Sequence, residues 1–220
     1  AFGKRLVEQP LMQNVLADLC IETEAAILTM TRLARAYDEA QSSGGRTFAR
    51  IATAVAKYWV CKRQPAVVVE ALECLAGAGF VEESGLPRLY REAPLNGIWE
   101  GSGNVIALDV LRAMAHGPEP LERFFEELGV ARGREPRFDR YLDTLRNELR
   151  DAEAVEYRAR DLVERLAVAL QASLLLHHGD PTVAAAFCAS RLGEGHGLQL
   201  GTLPRGVDAA GIIARATVAA

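Results

Sequence analysis

The stretch PLMQNVLADLCIETEAAILTMTRLARAYDEA, residues 10–40, decides the fold. Apolar residues recur in it every three or four positions, as in the row Leu11, Val15 and Leu19, which is the spacing of one face of an α-helix. Several alanines widen that face, so we expect the helix to contact neighbours on two sides, as a helix inside a bundle does. The serines and glycines of residues 42–45 then end the pattern. The sequence therefore predicts one long helix from Pro10 to about Ala40.

The same spacing continues along the rest of the chain, and no segment alternates with the period of a strand. It predicts helices over residues 48–63, from Pro65 to about 75, and over 104–115, 121–128, 138–149, 155–177, from 182, and 208–215. Pro65 is placed in a first helical turn because proline lacks the N–H that later turns need. We expect an all-α protein with an up-down four-helix bundle over residues 1–116 and an additional helical subdomain over 117–220.

Composition agrees with packed helices and narrows the classes of function. Half of the 220 residues are hydrophobic, few are aromatic, and the net charge is -4, so no strongly basic field indicates nucleic acid by itself. No signal peptide and no uninterrupted apolar run of about 18 residues is present, which predicts a soluble, cytoplasmic protein without a membrane partner. The four cysteines form no C-x-x-C pair and the four histidines lack a ligand spacing, so we predict no metal site.

The stretch around Trp99-Glu100-Gly101-Ser102-Gly103-Asn104 is not explained by helix packing alone. Glu100 stands between an apolar pair, Ile98 and Trp99, and a flexible turn, so we expect its carboxylate to be partly desolvated and suited to act as a general base. The glycines permit close backbone approach to a ligand, and the helix start that follows offers free N–H groups. The alternative is an ordinary surface turn with a helix N-cap.

Four segments of the chain resemble the C-terminal helical domain of the acyl-CoA dehydrogenase flavoproteins, and within that family the AidB-like branch associated with the adaptive response to alkylation damage. They are residues 1–4, 70–80, 89–92 and 98–104. Residues 1–115 are similar to the family in general. Residues 118–220 are similar only to the longer branch, with weaker matches at 187–191 and 201–204.

The resemblance implies a homotetrameric FAD enzyme that oxidises an acyl-CoA to the enoyl-CoA and passes electrons to an electron-transfer acceptor. It assigns Glu100 the removal of the α-proton, its N–H the polarisation of the thioester carbonyl, and Gly101 a position along the thioester. Residues 73–77 would face the ADP part of FAD across a subunit boundary. The implied cofactor-binding residues are Phe2, Gln9, Glu73, Ala76, Gly77, Trp99, Ser102, Gly103 and Asn104.

Two departures from the family pattern concern the cofactor. Glu73 stands where the family has glutamine, and Ala76 where it has the first of two glycines. An acidic side chain near a pyrophosphate is unfavourable unless it points away or pairs with an arginine. The family's N-terminal helical domain and middle β-domain have no counterpart in the chain, so we expect it to be part of a larger enzyme and to be inactive alone.

Two other functions remain open at this stage. AidB-like proteins are linked with double-stranded DNA through this C-terminal region, and the candidate residues here are Arg132, Arg134, Arg137, Arg140, Arg146 and Arg150. Four acids are interspersed between 132 and 150, so these arginines are also typical of a solvated helix face. The other possibility is an assembly module, in which the apolar residues 166–176 are buried in a subunit interface or under the terminal loop.

Overall fold

The computed structural model describes residues 3–39, 43–193 and 197–217. The helices, numbered α1 to α10 in chain order, are Pro10–Asp38, Ser43–Cys74, Gly77–Phe80, Leu86–Asn96, Gly103–Ala115, Glu119–Gly129, Pro136–Arg150, Ala159–His178, Pro181–Arg191 and Ala209–Ala216. No strand occurs within those three ranges, so the all-α prediction is confirmed.

The core forms where α1, α2, α5 and α8 pack together, with α2 in the middle. α2 also contacts α4 and α6, while α1 contacts α2, α8 and α10, which agrees with the two-sided contact predicted for α1. Small side chains such as Ala17, Ala25 and Ala52 are fully buried and allow the helix axes to approach closely. Larger residues fill the remaining space, as in the stacked rings of Phe48 and Phe124, whose centroids are 5.9 Å apart.

The prediction that a new helix begins at Pro65 is wrong, because α2 continues through this proline. A proline inside a helix removes one hydrogen bond and costs about 3 kcal/mol. Packing on both sides of Pro65 offsets that cost. Before Pro65, Arg63 forms an ion pair with Glu22 of α1. After Pro65, Leu72 lies against the backbone of Gly79. A Cβ on Gly79 would come within 2.1 Å of the Leu72 carbonyl oxygen, so only glycine fits there.

The second half of the chain joins the same hydrophobic cluster as the first. Residues 166–175 of α8 are all buried within this chain, so of the two alternatives given for this apolar segment, burial in a subunit interface is not needed. The division into two domains at residue 116 stays a prediction. None of the helices in the described ranges is long and apolar enough to cross a membrane.

Polar contacts fasten the C-terminal segment to α1. The Asn14 side-chain amide and the Leu203 backbone exchange two hydrogen bonds, at 2.9 and 3.2 Å. Arg191 pairs with Asp18 and with Glu22, the latter at 2.7 Å, and the Gly201 N–H donates to Asp18 at 2.7 Å. Burial raises the pKa of Glu22, but Arg191 and Arg63 outweigh it and hold that pKa below its usual value.

Candidate active site at the turn between α4 and α5

The turn between α4 and α5 presents Glu100 in an uncommon backbone conformation. Its φ is 55°, and Gly101 follows with a φ of 116°. A left-handed conformation costs a residue with a side chain about 1–2 kcal/mol, and such residues cluster at functional sites. A Cβ on Gly101 would lie 2.9 Å from Cδ1 of Ile106, so conformation and space both require glycine there.

Lys57 of α2 donates hydrogen bonds to the backbone of this turn. This lysine was not identified as a site residue from the sequence. Its Nζ donates to the carbonyl of Asn96 at 3.0 Å and to that of Trp99 at 2.7 Å. The neighbouring Ala56 and Tyr58 are buried, so Lys57 starts from a packed part of the helix. A lysine within that apolar stretch is the signal that could have found it.

Glu100 borders two cavities. One, of about 680 Å³, lies between α1 and α2 and is mainly apolar, with Ile27, Met30, Trp59 and Trp99 in its walls. The other, of about 460 Å³, has charged side chains such as Arg50, Lys57 and Asp109 among its lining residues, but most of its lining surface is apolar as well. Both volumes fall in the range of small-molecule sites. The glutamate therefore stands between two mainly apolar cavities, the second of which also carries charged side chains.

The expected desolvation of Glu100 is wrong for this chain by itself. Glu100 is exposed, and so are Ile98 (63%) and Trp99 (56%), because no described element packs over the turn. The Glu100 carboxylate and backbone N–H each lack a hydrogen-bond partner among residues 3–39, 43–193 and 197–217. Both groups are thus open to water and free to bind a ligand in the described part of the chain.

The N-terminus of α5 fits an anionic or polar cofactor group. Ser102 is its N-cap, yet the Ser102 side chain makes no capping hydrogen bond. The first-turn N–H groups, including those of Gly103 and Asn104, have no partner inside the helix, and the helix dipole adds partial positive charge. These are features that bind phosphate and flavin oxygens in other proteins.

The segment at the end of α2 fits a pyrophosphate less well. Glu73, Ala76 and Gly77 are exposed, and within the described part of the chain no arginine forms an ion pair with Glu73. Burial raises the pKa of nearby Glu70, and the negative charge of Glu73 adds to the rise. Ala76, where the family has glycine, has a φ of 51° and a ψ of -136°, a conformation that favours glycine, despite its side chain.

The remaining predicted cofactor residues lie at the start of the chain. Gln9 immediately precedes α1, where its carbonyl accepts from the Gln13 N–H at 2.8 Å. Phe2 lies outside the described residues.

The arginines considered for DNA binding are partly engaged within the chain. Arg132 pairs with Asp143 at 2.6 Å, Arg134 donates to the Leu176 carbonyl at 2.8 Å, and Arg137 contacts Glu135 at 3.2 Å. Arg146 lies over the Phe125 ring, 4.9 Å from its centroid. Arg140 and Arg150 are exposed and have no acidic partner in the part of the chain that the structure describes.

The structure is a helical bundle with a glutamate shortly before the N-terminus of a helix, which is an arrangement typical of a helical domain of an enzyme. Comparison with known proteins gives the family. The model of the acyl-CoA dehydrogenase C-terminal domain matches residues 1–115, so the chain belongs to that family. It is 37% identical to the putative acyl-CoA dehydrogenase AidB of Escherichia coli K12 over 199 residues, which confirms the resemblance to the AidB-like branch. Acyl-CoA dehydrogenase family member 11 of Caenorhabditis elegans is 36% identical over 118 residues.

The fold is shared with a longer solved protein. The crystal structure of Caenorhabditis elegans ACDH-11 in complex with C11-CoA superimposes with a TM-score of 0.77 at 25% identity, covering 100% of this chain and 42% of that one. The match to the Escherichia coli relative covers 90% of this chain and 36% of that protein, and the match to the worm family member covers 52% and 19%. The chain therefore corresponds to about a third of the Escherichia coli relative.

Proposed function

We propose that this chain supplies the catalytic base of an FAD-dependent acyl-CoA dehydrogenase-like flavoprotein, with Glu100 removing the α-proton of an acyl-CoA thioester. The observation that carries the proposal is the state of Glu100: left-handed, at the edge of both cavities, with its carboxylate and N–H unpartnered among the described residues. The family membership and the CoA ligand of the worm neighbour support the substrate class.

The arrangement suits removal of a proton from carbon. An α C–H becomes acidic when the adjacent thioester carbonyl is polarised, and the free N–H of Glu100 is a donor for that oxygen. The carboxylate of the same residue accepts the proton, and Gly101 leaves room for the thioester. FAD, when bound, supplies the acceptor for the hydride that leaves the β-carbon. In the complete polypeptide, cover over Ile98 and Trp99 would provide the desolvation that this chain lacks.

The cofactor would be held first by Ser102, Gly103 and Asn104 at the start of α5, with Trp99, Gln9 and Phe2 nearby. Glu73, Ala76 and Gly77 would face the ADP part of FAD from a neighbouring subunit. Exposed apolar side chains around α3 and α4, including Leu75, Phe80 and Leu95, support assembly into a tetramer. We expect the isolated chain to be inactive and the complete protein, located in the cytoplasm, to pass electrons to a separate acceptor.

The decisive experiment compares Glu100→Gln with the parent in the intact polypeptide loaded with FAD. The amide keeps the shape of the side chain but cannot take the proton, so we expect flavin reduction by acyl-CoA to slow by about 10²–10⁴-fold while FAD content stays the same. Glu83→Gln, an exposed acid outside both cavities, is the control. An unchanged rate in Glu100→Gln would show that another base does the work.

The alternative is an AidB-like, DNA-binding flavoprotein of the alkylation response with little dehydrogenase activity. Arg140 and Arg150, exposed and without an acidic partner in the described part of the chain, favour it. A duplex-binding titration against salt tests it, because log K falls with log salt and each neutralised phosphate steepens that fall by about 0.9. We expect a shallower fall in the Arg140→Ala, Arg150→Ala double variant if duplex DNA binds here. No binding at low salt by the intact protein would remove this function.

A further inference from the structure

Lys57 joins the middle of α2 to the turn that carries Glu100. Its two acceptors are the carbonyl of Asn96, the last residue of α4, and that of Trp99, the residue immediately before Glu100. We infer that Lys57 is a positioning residue for the proton transfer at Glu100. This inference rests on the function proposed above.

Glu100 makes no hydrogen bond of its own to any residue that the structure describes. The regular bonds after α4 end with the Trp99 N–H, which donates to Leu95 at 3.2 Å. The N–H groups of Glu100 and Gly101 find no backbone acceptor in the described ranges. The Trp99 carbonyl is therefore the last hydrogen-bonded backbone group before Glu100, and Lys57 is its donor.

The hydrogen bond from Lys57 to the Trp99 carbonyl is strong enough to stabilise the left-handed conformation of Glu100. A hydrogen bond from a charged donor contributes about 1.5–3 kcal/mol, which exceeds or matches the roughly 1–2 kcal/mol cost of a left-handed glutamate. Lys57 can deliver it because Val55, Ala56 and Tyr58 around it are buried and keep this part of α2 in place. The third ammonium proton remains available, since no third acceptor occurs among the described residues.

A second contact distinguishes positioning of Glu100 from simple anchoring of α4. The Asn96 side-chain amide donates to Gln64 of α2 at 2.8 Å, so the end of α4 stays attached to α2 without Lys57. Asn96 lies four residues before Glu100, so its hydrogen bond to Gln64 does not hold Glu100 itself. Loss of the Lys57 ammonium should therefore loosen residues 97–102 and leave α4 docked.

The test uses the intact, FAD-loaded polypeptide with Lys57→Met, which keeps the apolar stem, and Lys57→Arg, which keeps the charge. For Lys57→Met we expect amide hydrogen exchange over residues 97–103 to rise about tenfold or more, and flavin reduction by acyl-CoA to slow by about 10–100-fold, since displacement of a reacting group by 1 Å can cost that much. FAD content and KM should change little, and Lys57→Arg should recover most of the rate. Arg35→Met, which removes an exposed cation of α1 outside both cavities, is the control.

Parent-like exchange or a parent-like rate in Lys57→Met would overturn the inference, as would an equal loss in Arg35→Met. If Lys57→Met does not fold, Lys57→Gln gives the same comparison with a neutral donor. The Glu100→Gln variant separates the two levels of the proposal. If Glu100→Gln keeps the parent rate, the base assignment fails; if it loses the rate while Lys57→Met keeps it, only the positioning role fails.

Discussion

Arg191, at the end of α9, donates to the carboxylate of Glu22 in the middle of α1 at 2.7 Å, across 169 residues of sequence. The same guanidinium pairs with Asp18, and only 16% of the Arg191 side chain is exposed. Both carboxylates are buried, so removal of Arg191 would leave Asp18 without a cation and Glu22 with Arg63 alone. This cluster ties the C-terminal segment to α1.

Arg191→Met should therefore be strongly destabilising. The substitution leaves two buried carboxylates without their shared partner, so we expect the free energy of unfolding of the chain to fall by about 3–5 kcal/mol. Urea unfolding followed by circular dichroism measures it. Arg88→Met removes an exposed pair with Glu92 and should cost less than about 1 kcal/mol. Equal losses in the two variants would contradict the role given to Arg191.

Acid should weaken the same cluster through Glu22. The pKa of Glu22 in the folded chain is below the 4.5 of an unperturbed glutamate, because the nearby arginines outweigh the effect of burial. A depressed folded pKa contributes stability that is complete above the unfolded pKa and is lost as pH falls through the folded one. Stability should thus decline below about pH 4.5, and more steeply than in Glu22→Gln, although the variant is less stable at pH 7. Urea midpoints between pH 3 and 7 check this, and parallel curves for the two proteins would exclude Glu22 as a source of the acid sensitivity.

The long helices could be predicted from the sequence because their burial pattern is local. The apolar spacing placed α1, α5 and α7 within about two residues of their observed bounds. Pro65 misled the prediction because a local rule for proline was overridden by packing against α1 and α3, which the sequence does not display.

The site was predictable in its residue types but not in its surroundings. The glycines and Glu100 mark the turn, whereas nothing in the sequence links Lys57 to a carbonyl 42 residues later. The expected desolvation of Glu100 failed for a related reason. Burial is a property of everything packed around a residue, and Ile98 and Trp99 flank the glutamate in sequence without covering it in this chain.

Ala76→Gly should stabilise the chain. Ala76 has a φ of 51° and a ψ of -136° at the position where the family has glycine, and removing its Cβ relieves about 1–2 kcal/mol of backbone strain. The greater freedom of glycine in the unfolded chain costs about 0.5–1 kcal/mol in return. We expect a net gain of up to about 1 kcal/mol in the free energy of unfolding. Ala66→Gly, on an exposed position inside α2, should instead lose about 1 kcal/mol. If both variants are destabilised alike, the backbone at Ala76 is not strained.

Gly101→Ala should disturb the turn more than its small size suggests. The new methyl group would meet Cδ1 of Ile106 at 2.9 Å, and a φ of 116° is poorly accessible to alanine. We expect a loss of about 1–3 kcal/mol in the free energy of unfolding, together with faster amide exchange over residues 97–103. Gly129→Ala is the matched control, because its Cβ would meet nothing within 4 Å and alanine favours the helix that ends there, so its stability should hold or rise by up to about 1 kcal/mol. Gly101→Ala with parent stability and parent exchange would mean that the turn adopts another conformation, and Glu100 would then no longer be held at the edge of the two cavities.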